Sequence, residues 1–372
     1  MNKKLIAIAV AAAGMAAPMV GQASVTPYGN LQVEIANVTN DGYGENNTKN
    51  SRKGMAANQS GIKAADNKRG RLGFKTSEDL GGGLKAIAKF EWQVDTVYGN
   101  INDGAREGWV GMKGSFGEIK AGRIKSPYKY TGGVKYDPFT TTYLEARKSG
   151  GSLGGAWGQN SFWDTSVSYK GKWGGLSAWV NYGLDSGDGT NNYIKTPAKT
   201  GPPAVSAKTG ASDAPGYAGD YAVGVRYDTK TWEVFGVTES NPTADSSGDS
   251  WGASKVGAKM KLGTSTFFAQ YESISDKTGA SRDKTYAFLG YHLKMGKSIL
   301  VANIGRCNSD KNTCAGPGKV KGKDANYYAV GLIYRFSKKT RIFTGYRSSN
   351  GTDVGTNKND LSLFTVGMRV DF

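Results

Sequence analysis

The sequence predicts an all-β protein, a 16-stranded antiparallel transmembrane β-barrel, on three observations. The first is the alternation of the last residues. Phe364, Val366, Met368, Val370 and Phe372 fall on one side of an extended chain, and Thr365, Gly367, Arg369 and Asp371 fall on the other. Successive side chains of a strand point to opposite faces, so one face needs an apolar medium and the other needs water. A barrel in an outer membrane meets both needs with alternating segments of roughly ten residues. The second observation is rhythm, because short turns and long polar connections take turns along the whole chain. The third is composition: 54 Gly and 20 Tyr against 10 Pro and 2 Cys, with a mean hydropathy of −0.48. Alternation averages to neutral, so a barrel of this kind looks soluble on a hydropathy scale.

The N-terminus reads as an export signal. Asn2, Lys3 and Lys4 precede an apolar run from Leu5 to Val20, and the stretch Gly21-Gln22-Ala23 has small residues, Gly21 and Ala23, where a peptidase needs them. The run is too short for a spanning helix, which needs about twenty residues. Residues 1–23 are therefore expected to leave as a signal peptide and 24–372 to form the barrel.

From there the staves follow in order. Leu31, Val33 and Ile35 face out against Asn30, Gln32 and Glu34; a polar stretch follows, from about Thr39 to Lys68. Leu72 and Phe74 oppose Arg71 and Lys75, and after the turn Ser77–Gly83 the residues Leu84, Ala86, Ala88, Phe90 and Trp92 oppose Lys85, Lys89, Glu91 and Gln93. Further short turns fall near 114–115, 171–175, 228–230, 263–264, 296–297 and 337–340. Longer loops fall near 96–104, 125–160, 183–218, 239–250, 274–283, 305–325 and 348–360. Seven turns and eight loops separate sixteen strands, a number that leaves an aqueous channel rather than a filled core. Val256, Ala258, Met260 and Leu262 oppose Lys255, Lys259 and Lys261; Tyr328, Val330, Leu332, Tyr334 and Phe336 oppose Ala329, Gly331 and Arg335. The ninth and thirteenth strands, about 231–238 and 298–306, alternate too weakly for their faces to be assigned. Outward aromatics gather at strand ends, as expected at a lipid–water boundary.

Cys307 and Cys314 lie seven positions apart in a polar stretch of an exported chain, and are read as one disulfide pinning a loop. Two thiols with no histidine nearby make a poor metal site. No metal, cofactor or catalytic group is expected. The single histidine, His292, faces the polar side by parity, with no nucleophile or orienting acid located by any motif. Gly150–Gly155 is glycine-rich but precedes no helical pattern, which argues against a phosphate cradle. The formal charge of +17 suggests an anionic partner, and export argues against nucleic acid.

The stretches Gly70-Arg71-Leu72-Gly73-Phe74-Lys75, Ser77-Glu78-Asp79-Leu80-Gly81-Gly82-Gly83-Leu84-Lys85-Ala86 and Gly117-Glu118-Ile119-Lys120-Ala121-Gly122-Arg123 carry a resemblance. So do Tyr328-Ala329-Val330-Gly331, the turn Ser337-Lys338-Lys339-Thr340 and the terminal aromatic. Over its length after residue 23 the chain resembles the trimeric general porins of Gram-negative beta-proteobacteria, the neisserial and comamonad type. That resemblance implies homotrimers, a third loop folded into the lumen and passive diffusion of small polar solutes. It also implies that Val366, Met368, Val370 and Phe372 form the signal read by the barrel-insertion machinery in a lipid and lipopolysaccharide membrane.

The third loop is expected at about 125–160, with Lys135, Asp137 and Glu145 in the stretch similar to the family's constriction motif and the two carboxylates near the channel axis. Facing it, the inward cations Arg71, Lys75, Lys85, Lys89, Arg106 and Lys120 form a candidate pore lining; Arg123 is a candidate beside them, but it follows a glycine at the strand end, where alternation can break, and parity does not assign its face. Rings of such residues select small anions. Where relatives commonly place an inward arginine after this loop, this chain has Ser168, and Lys170 has the same parity. A lysine is a point charge rather than a planar fork, which puts bidentate capture there in doubt. The expected function is a passive outer-membrane channel with anion preference. A channel specific for an acidic solute such as phosphate or organic carboxylates is the alternative. An adhesin barrel, binding a partner through long loops such as 183–218, is the other.

Overall fold

A computed structural model of the chain describes residues 24–40, 61–65, 70–101, 105–146, 162–184, 220–241, 251–276, 283–310, 314–315, 321–322, 324–351 and 360–372. The signal-peptide reading of residues 1–23, the glycine-rich 150–155 and most of the 183–218 loop lie outside these residues.

Sixteen staves close on themselves. They are β1 (Ser24–Asn40), β2 in two pieces (Gly61–Ala65 and Gly70–Gly81), β3 (Leu84–Val94), β4 (Ala105–Gly114), β5 (Gly117–Lys125), β6 (Phe162–Trp173), β7 (Leu176–Gly183) and β8 (Tyr221–Asp228). The second half comprises β9 (Trp232–Asn241), β10 (Trp251–Leu262), β11 (Ser265–Asp276), β12 (Lys284–Met295), β13 (Ser298–Ser309), β14 (Asp324–Arg335), β15 (Thr340–Gly351) and β16 (Asp360–Asp371). Every stave pairs antiparallel with its sequence neighbours, and β1 pairs with both β2 and β16. Closure runs through Leu31↔Val370, Val33↔Met368 and Ile35↔Val366, and ends in two backbone bonds between Gly29 and Phe372, 3.0 and 3.2 Å. A Cβ at Gly29 would lie 2.4 Å from the Phe372 ring, so the seam needs glycine there. Closure removes the sheet edge that lipid cannot solvate.

The expected faces hold. Leu31, Val33, Ile35, Phe74, Phe90, Val256, Met260, Val330 and Val366 are exposed, whereas Gln32, Glu34, Glu91 and Lys255 are buried on the opposite face. Exposed rings mark the turn rim at Phe116, Trp173, Trp232 and Phe336, and the loop side at Tyr182, Tyr221 and Tyr346. The turns are tight because Gly174, Gly263 and Gly296 adopt left-handed φ near +58°, at +57°, +58° and +59°, where other L-residues pay in Cβ clashes.

The two weakly alternating strands can now be assigned. β9 turns Glu233, Phe235, Val237 and Glu239 inward, and β13 turns Val301, Asn303 and Cys307 inward with Ile304 exposed. Both inner faces lie under Ser126–Ala146, which hydrogen-bonds to the polar-side residues of β1, β9, β11, β13, β14, β15 and β16. Covered by protein rather than water, these inner faces carry Phe235, Val237 and Val301 among their polar residues, and the period-two signal fades.

Cys307, near the end of β13, is bonded to Cys314, with Cα atoms 5.8 Å apart; Cys314–Ala315 pairs with Lys321–Gly322 as a small ribbon.

Candidate functional site: a basic wall and the loop beside it

Four adjacent staves, β2 to β5, carry the wall. Their register places Lys75 opposite Lys89, Lys89 opposite Trp109, and Lys120 opposite Gly111. Two buried carboxylates organise it. Glu91, 1% exposed, accepts from Arg106 Nε at 2.6 Å and from the Tyr28 hydroxyl at 2.8 Å, with Lys89 at 3.3 Å and Arg71 at 4.0 Å. Glu107 pairs closely with Lys89 and with Lys125 at 3.0 Å, and accepts from Trp109 Nε1 at 3.2 Å. Four cations (Arg71, Lys89, Arg106, Lys125) thus share two carboxylates, leaving two positive charges in excess on one patch. Lys75 makes no ion pair among the described residues and lies 5.9 Å from the centre of the Tyr28 ring.

A bulge opposite Glu91 makes this cluster possible. Glu91 pairs with Glu107 while Trp92 pairs with Ala105, so Arg106 is the extra residue and swings onto Glu91. Arg123 also sits at a bulge, after Gly122 with φ +130°. Its guanidinium donates to the Ala105 carbonyl at 3.0 Å and to both oxygens of Asp164 at 2.5 Å. Its charge is thereby matched by Asp164. Arg106 and Arg123 lie against the Phe162 ring, with centroid distances of 5.0 and 5.7 Å.

The remaining expected cations lie toward the turn rim. Lys85, half-exposed, pairs with Asp79 at 3.7 Å. Lys120 pairs with Glu118 and covers the Trp109 ring at 4.4 Å. Lys170 stands opposite Glu118 in register, 5.5 Å from the Trp179 ring, two positions closer to the turn than Ser168. It therefore does not occupy the height of Ser168.

The loop corrects one expectation. Asp137 and Glu145 do not present carboxylates to the channel axis; they are 3% and 5% exposed. Asp137 accepts from Phe139 N at 2.9 Å, Ala146 N at 2.8 Å and Asn303 Nδ2 at 2.9 Å, and Glu145 accepts from Thr141 N at 2.9 Å. The loop's backbone N–H groups have no strand ladder to satisfy them, so its carboxylates serve that purpose. Lys135, the most exposed charge among the described residues of the loop, pairs with Glu233 at 2.6 Å, which also takes Lys259 at 2.8 Å. Burial holds the Lys135 ammonium below its ordinary range despite Glu233, and burial followed by Glu233 holds the Tyr136 phenol above its own.

The loop begins in a short helix, α1 (Pro127–Tyr130), capped by Ser126, whose hydroxyl accepts from Tyr128 N at 3.1 Å and donates to Glu239. Tyr128 reaches across to Glu272 at 2.6 Å; burial and that carboxylate raise its phenol well above the usual value. Further along, Phe139 and Leu144 seat on the paired glycines Gly331 and Gly345, whose Cβ atoms would lie 3.0 and 2.8 Å from them. The carbonyl of Tyr143 accepts from Arg347 at 2.8 Å. His292 packs its ring on Phe268 at 4.2 Å.

Sequence reasoning missed the organising roles of Glu91 and Glu107, and the second group of Arg226, Lys259 and Glu233. Parity alone makes Arg226 inward. Its donation to the Thr131 carbonyl at 3.1 Å depends on the loop.

This geometry has known counterparts. The Gram-negative porin family matches residues 5–354. The chain belongs to that family. It is 30% identical to the major outer membrane protein P.IB of Neisseria meningitidis serogroup B over 193 residues, 52% of each chain. It is 37% identical to outer membrane porin protein 32 of Delftia acidovorans over 146 residues, 38% of this chain and 37% of that one. The aligned stretches thus span about half or less of the length of these curated relatives. Among solved structures, the anion-selective porin from Comamonas acidovorans superposes with a TM-score of 0.68 at 19% identity, covering 94% of this chain and all of that one. OmpT of Vibrio cholerae gives 0.64 at 14% identity, covering 94% and 98%. Family and fold are those of an outer-membrane channel rather than an enzyme, and the location of this porin is the outer membrane.

Proposed function

We propose that this porin is a passive diffusion channel for small hydrophilic solutes and ions, with preference for anions. The observation that carries the reading is the oversubscription of Glu91 and Glu107 by Arg71, Lys89, Arg106 and Lys125 on one inward wall. The loop's own carboxylates are turned into its hydrogen-bond network, so they offer no matching negative wall. A low-dielectric channel wall strengthens such a field, and anions follow it. The name of the Comamonas acidovorans relative, an anion-selective porin, points the same way.

Reversal potential in a salt gradient tests this. Replacing Arg71 and Lys89 together by glutamate should move it toward cation preference, and reversing the loop lysines Lys195 and Lys208 should move it little. Preference should weaken toward 1 M salt, where the screening length is about 3 Å. Loop reversals as effective as the wall pair would overturn the assignment.

Homotrimer assembly, contact with lipid and lipopolysaccharide and delivery by the barrel-insertion machinery belong to the same reading. Support comes from the exposed apolar face of Phe364, Val366, Met368, Val370 and Phe372 at the closing seam. Deleting Phe372 should lower surface levels more than loop changes do.

A further inference from the structure

The described inner face carries a second concentration of excess positive charge besides the basic wall on β2–β5. Register places Arg335 of β14 directly opposite Arg341 of β15, and Arg341 directly opposite Arg369 of β16. All three share the inward parity of buried Ile333, Phe343 and Thr365, so three guanidiniums stand in one row across three neighbouring strands. One carboxylate serves the row. Asp371 accepts from Arg369 Nη2 at 2.6 Å and from its Nε at 2.9 Å, while Arg369 Nη1 donates to Thr141 Oγ1 at 3.1 Å. Among the described residues, the guanidiniums of Arg335 and Arg341 have no hydrogen bond or ion pair. Lys294, inward on β12, and the turn residues Lys297, Lys338 and Lys339 border the same rim. Toward β1 the row ends on Gln32, opposite Arg369.

Like charges directly opposite in a sheet destabilise it, and two such contacts in a single row have no structural return inside the protein. Strands stand about 4.7–4.9 Å apart, which lets neighbouring planar forks grip separate oxygens of one tetrahedral anion. Two charges remain after Asp371 is subtracted, which matches a dianion. The row faces water, because the lipid side of these staves carries the exposed Phe336, Ile342 and Val370, and a lipid headgroup would have to leave the membrane face to reach it.

We propose that Arg335, Arg341 and Arg369 form a binding site for a tetrahedral oxyanion dianion, phosphate or a phosphate monoester, at the turn-side mouth of the channel. The inference rests on the channel reading above and adds a second site, on staves separate from the β2–β5 wall. It makes the channel a collector of phosphoryl anions rather than only a conductor of small ions.

The test titrates inorganic phosphate into purified channels in planar bilayers at constant ionic strength, reading chloride conductance. With the wild-type protein, phosphate should depress conductance saturably at about pH 8, where the dianion prevails, and at markedly higher concentration at about pH 5. Arg335→Gln with Arg341→Gln should raise the half-saturating concentration about tenfold or more, given the size of charge-assisted hydrogen bonds. Arg335→Lys with Arg341→Lys keeps the charge and removes the forks; it should raise that concentration as well, and it stands in if the glutamine pair does not insert. Lys125→Gln, whose charged neighbours are Glu107 and Glu91, should move the reversal potential in a chloride gradient while leaving the phosphate half-saturation within about twofold. Non-saturating phosphate effects in the wild type, or wild-type half-saturation in both double variants, would overturn the site while anion preference in the salt gradient kept the channel reading intact. Cation preference of the wild-type channel would instead overturn that reading.

Discussion

The inner wall of this barrel is built in two ways. On β2–β5 it is a mesh of charges around Glu91 and Glu107, set among Tyr28, Trp109 and Phe162. Across β9–β15 it is a bed of Phe235, Phe268, Phe288, Val301, Ile333 and Phe343, onto which the loop lays Tyr136, Phe139, Tyr143 and Leu144. Tyr136 lies 5.4 Å from the Phe235 ring and 5.1 Å from Phe268. The first wall has lipid on one side and an aqueous channel on the other, so its staves alternate cleanly. The second has lipid on one side and protein on the other, so β9 and β13 lose the alternation. The difference teaches that the period-two signal fades where the loop lies on apolar inner residues, as on β9 and β13, and survives where it is held by polar or small ones, as at Glu34 of β1, Gly331 of β14 and Arg369 of β16.

The sharpest way to break the comparison is to empty the bed. Phe139 is fully buried, and Phe139→Ala should cost about 3–5 kcal/mol of loop docking. Single-channel records should then show larger, noisier openings; unchanged conductance would mean that the apolar bed does not hold the loop.

Outside the barrel the two regions should behave alike, because both face lipid. Val256→Arg should lower stability by about 2–4 kcal/mol near the bilayer midplane, whereas Lys120→Arg on the water-facing side should change it by less than about 0.5 kcal/mol. Urea unfolding in vesicles reads both. Equal effects would show that the face assignment is wrong.

A smaller effect separates the carboxylates. Asp137→Ala removes the acceptor for two backbone N–H groups and Asn303, and should cost about 1–3 kcal/mol, read as faster proteolysis of the loop. Lys75→Ala, on the open wall, should leave proteolysis unchanged while reducing anion preference.

The smallest effect is local and depends on pH. Asp220 lies just before β8, outside the membrane-spanning staves, with both carboxylate oxygens lacking a partner among the described residues. Burial pushes its carboxyl up from 3.8 to about 7. Between those values the folded segment holds a proton that the opened segment releases, so local stability falls as pH rises from about 4 to 7 and levels off above. The amide of Gly183, which donates to the Asp220 carbonyl at 2.9 Å, reports it. Its exchange protection, corrected for intrinsic rates, should be weaker at pH 7 than at pH 5, and Asp220→Asn should abolish the slope. A slope retained in that variant would assign the titration to another group.

Much of this architecture was legible in the chain itself. Alternation in Leu31–Ile35, Leu84–Trp92 and Phe364–Phe372 settled which face meets lipid, because a strand's side-chain period is two whatever its neighbours do. The sorting of short and long connections settled the number of staves and their up-and-down order. Parity placed Arg71, Lys89 and Lys120 inward, and the spacing of Cys307 and Cys314 in an exported chain indicated their bond. Each of these is a local property, written within a dozen residues.

Only the tertiary structure decided which charges are free to act. Asp137 and Glu145 sit in a loop whose sequence marks them as acidic but says nothing of Asn303 or of the backbone donors they serve, 166 positions away in the first case. The bulge that sends Arg106 onto Glu91, the pairing of Arg123 with Asp164, and the alignment of Arg335, Arg341 and Arg369 depend on cross-strand register. Register is fixed by closure of the whole sheet through Gly29 and Phe372, so electrostatics that turns on distances of a few ångströms is determined by contacts spanning nearly the entire chain.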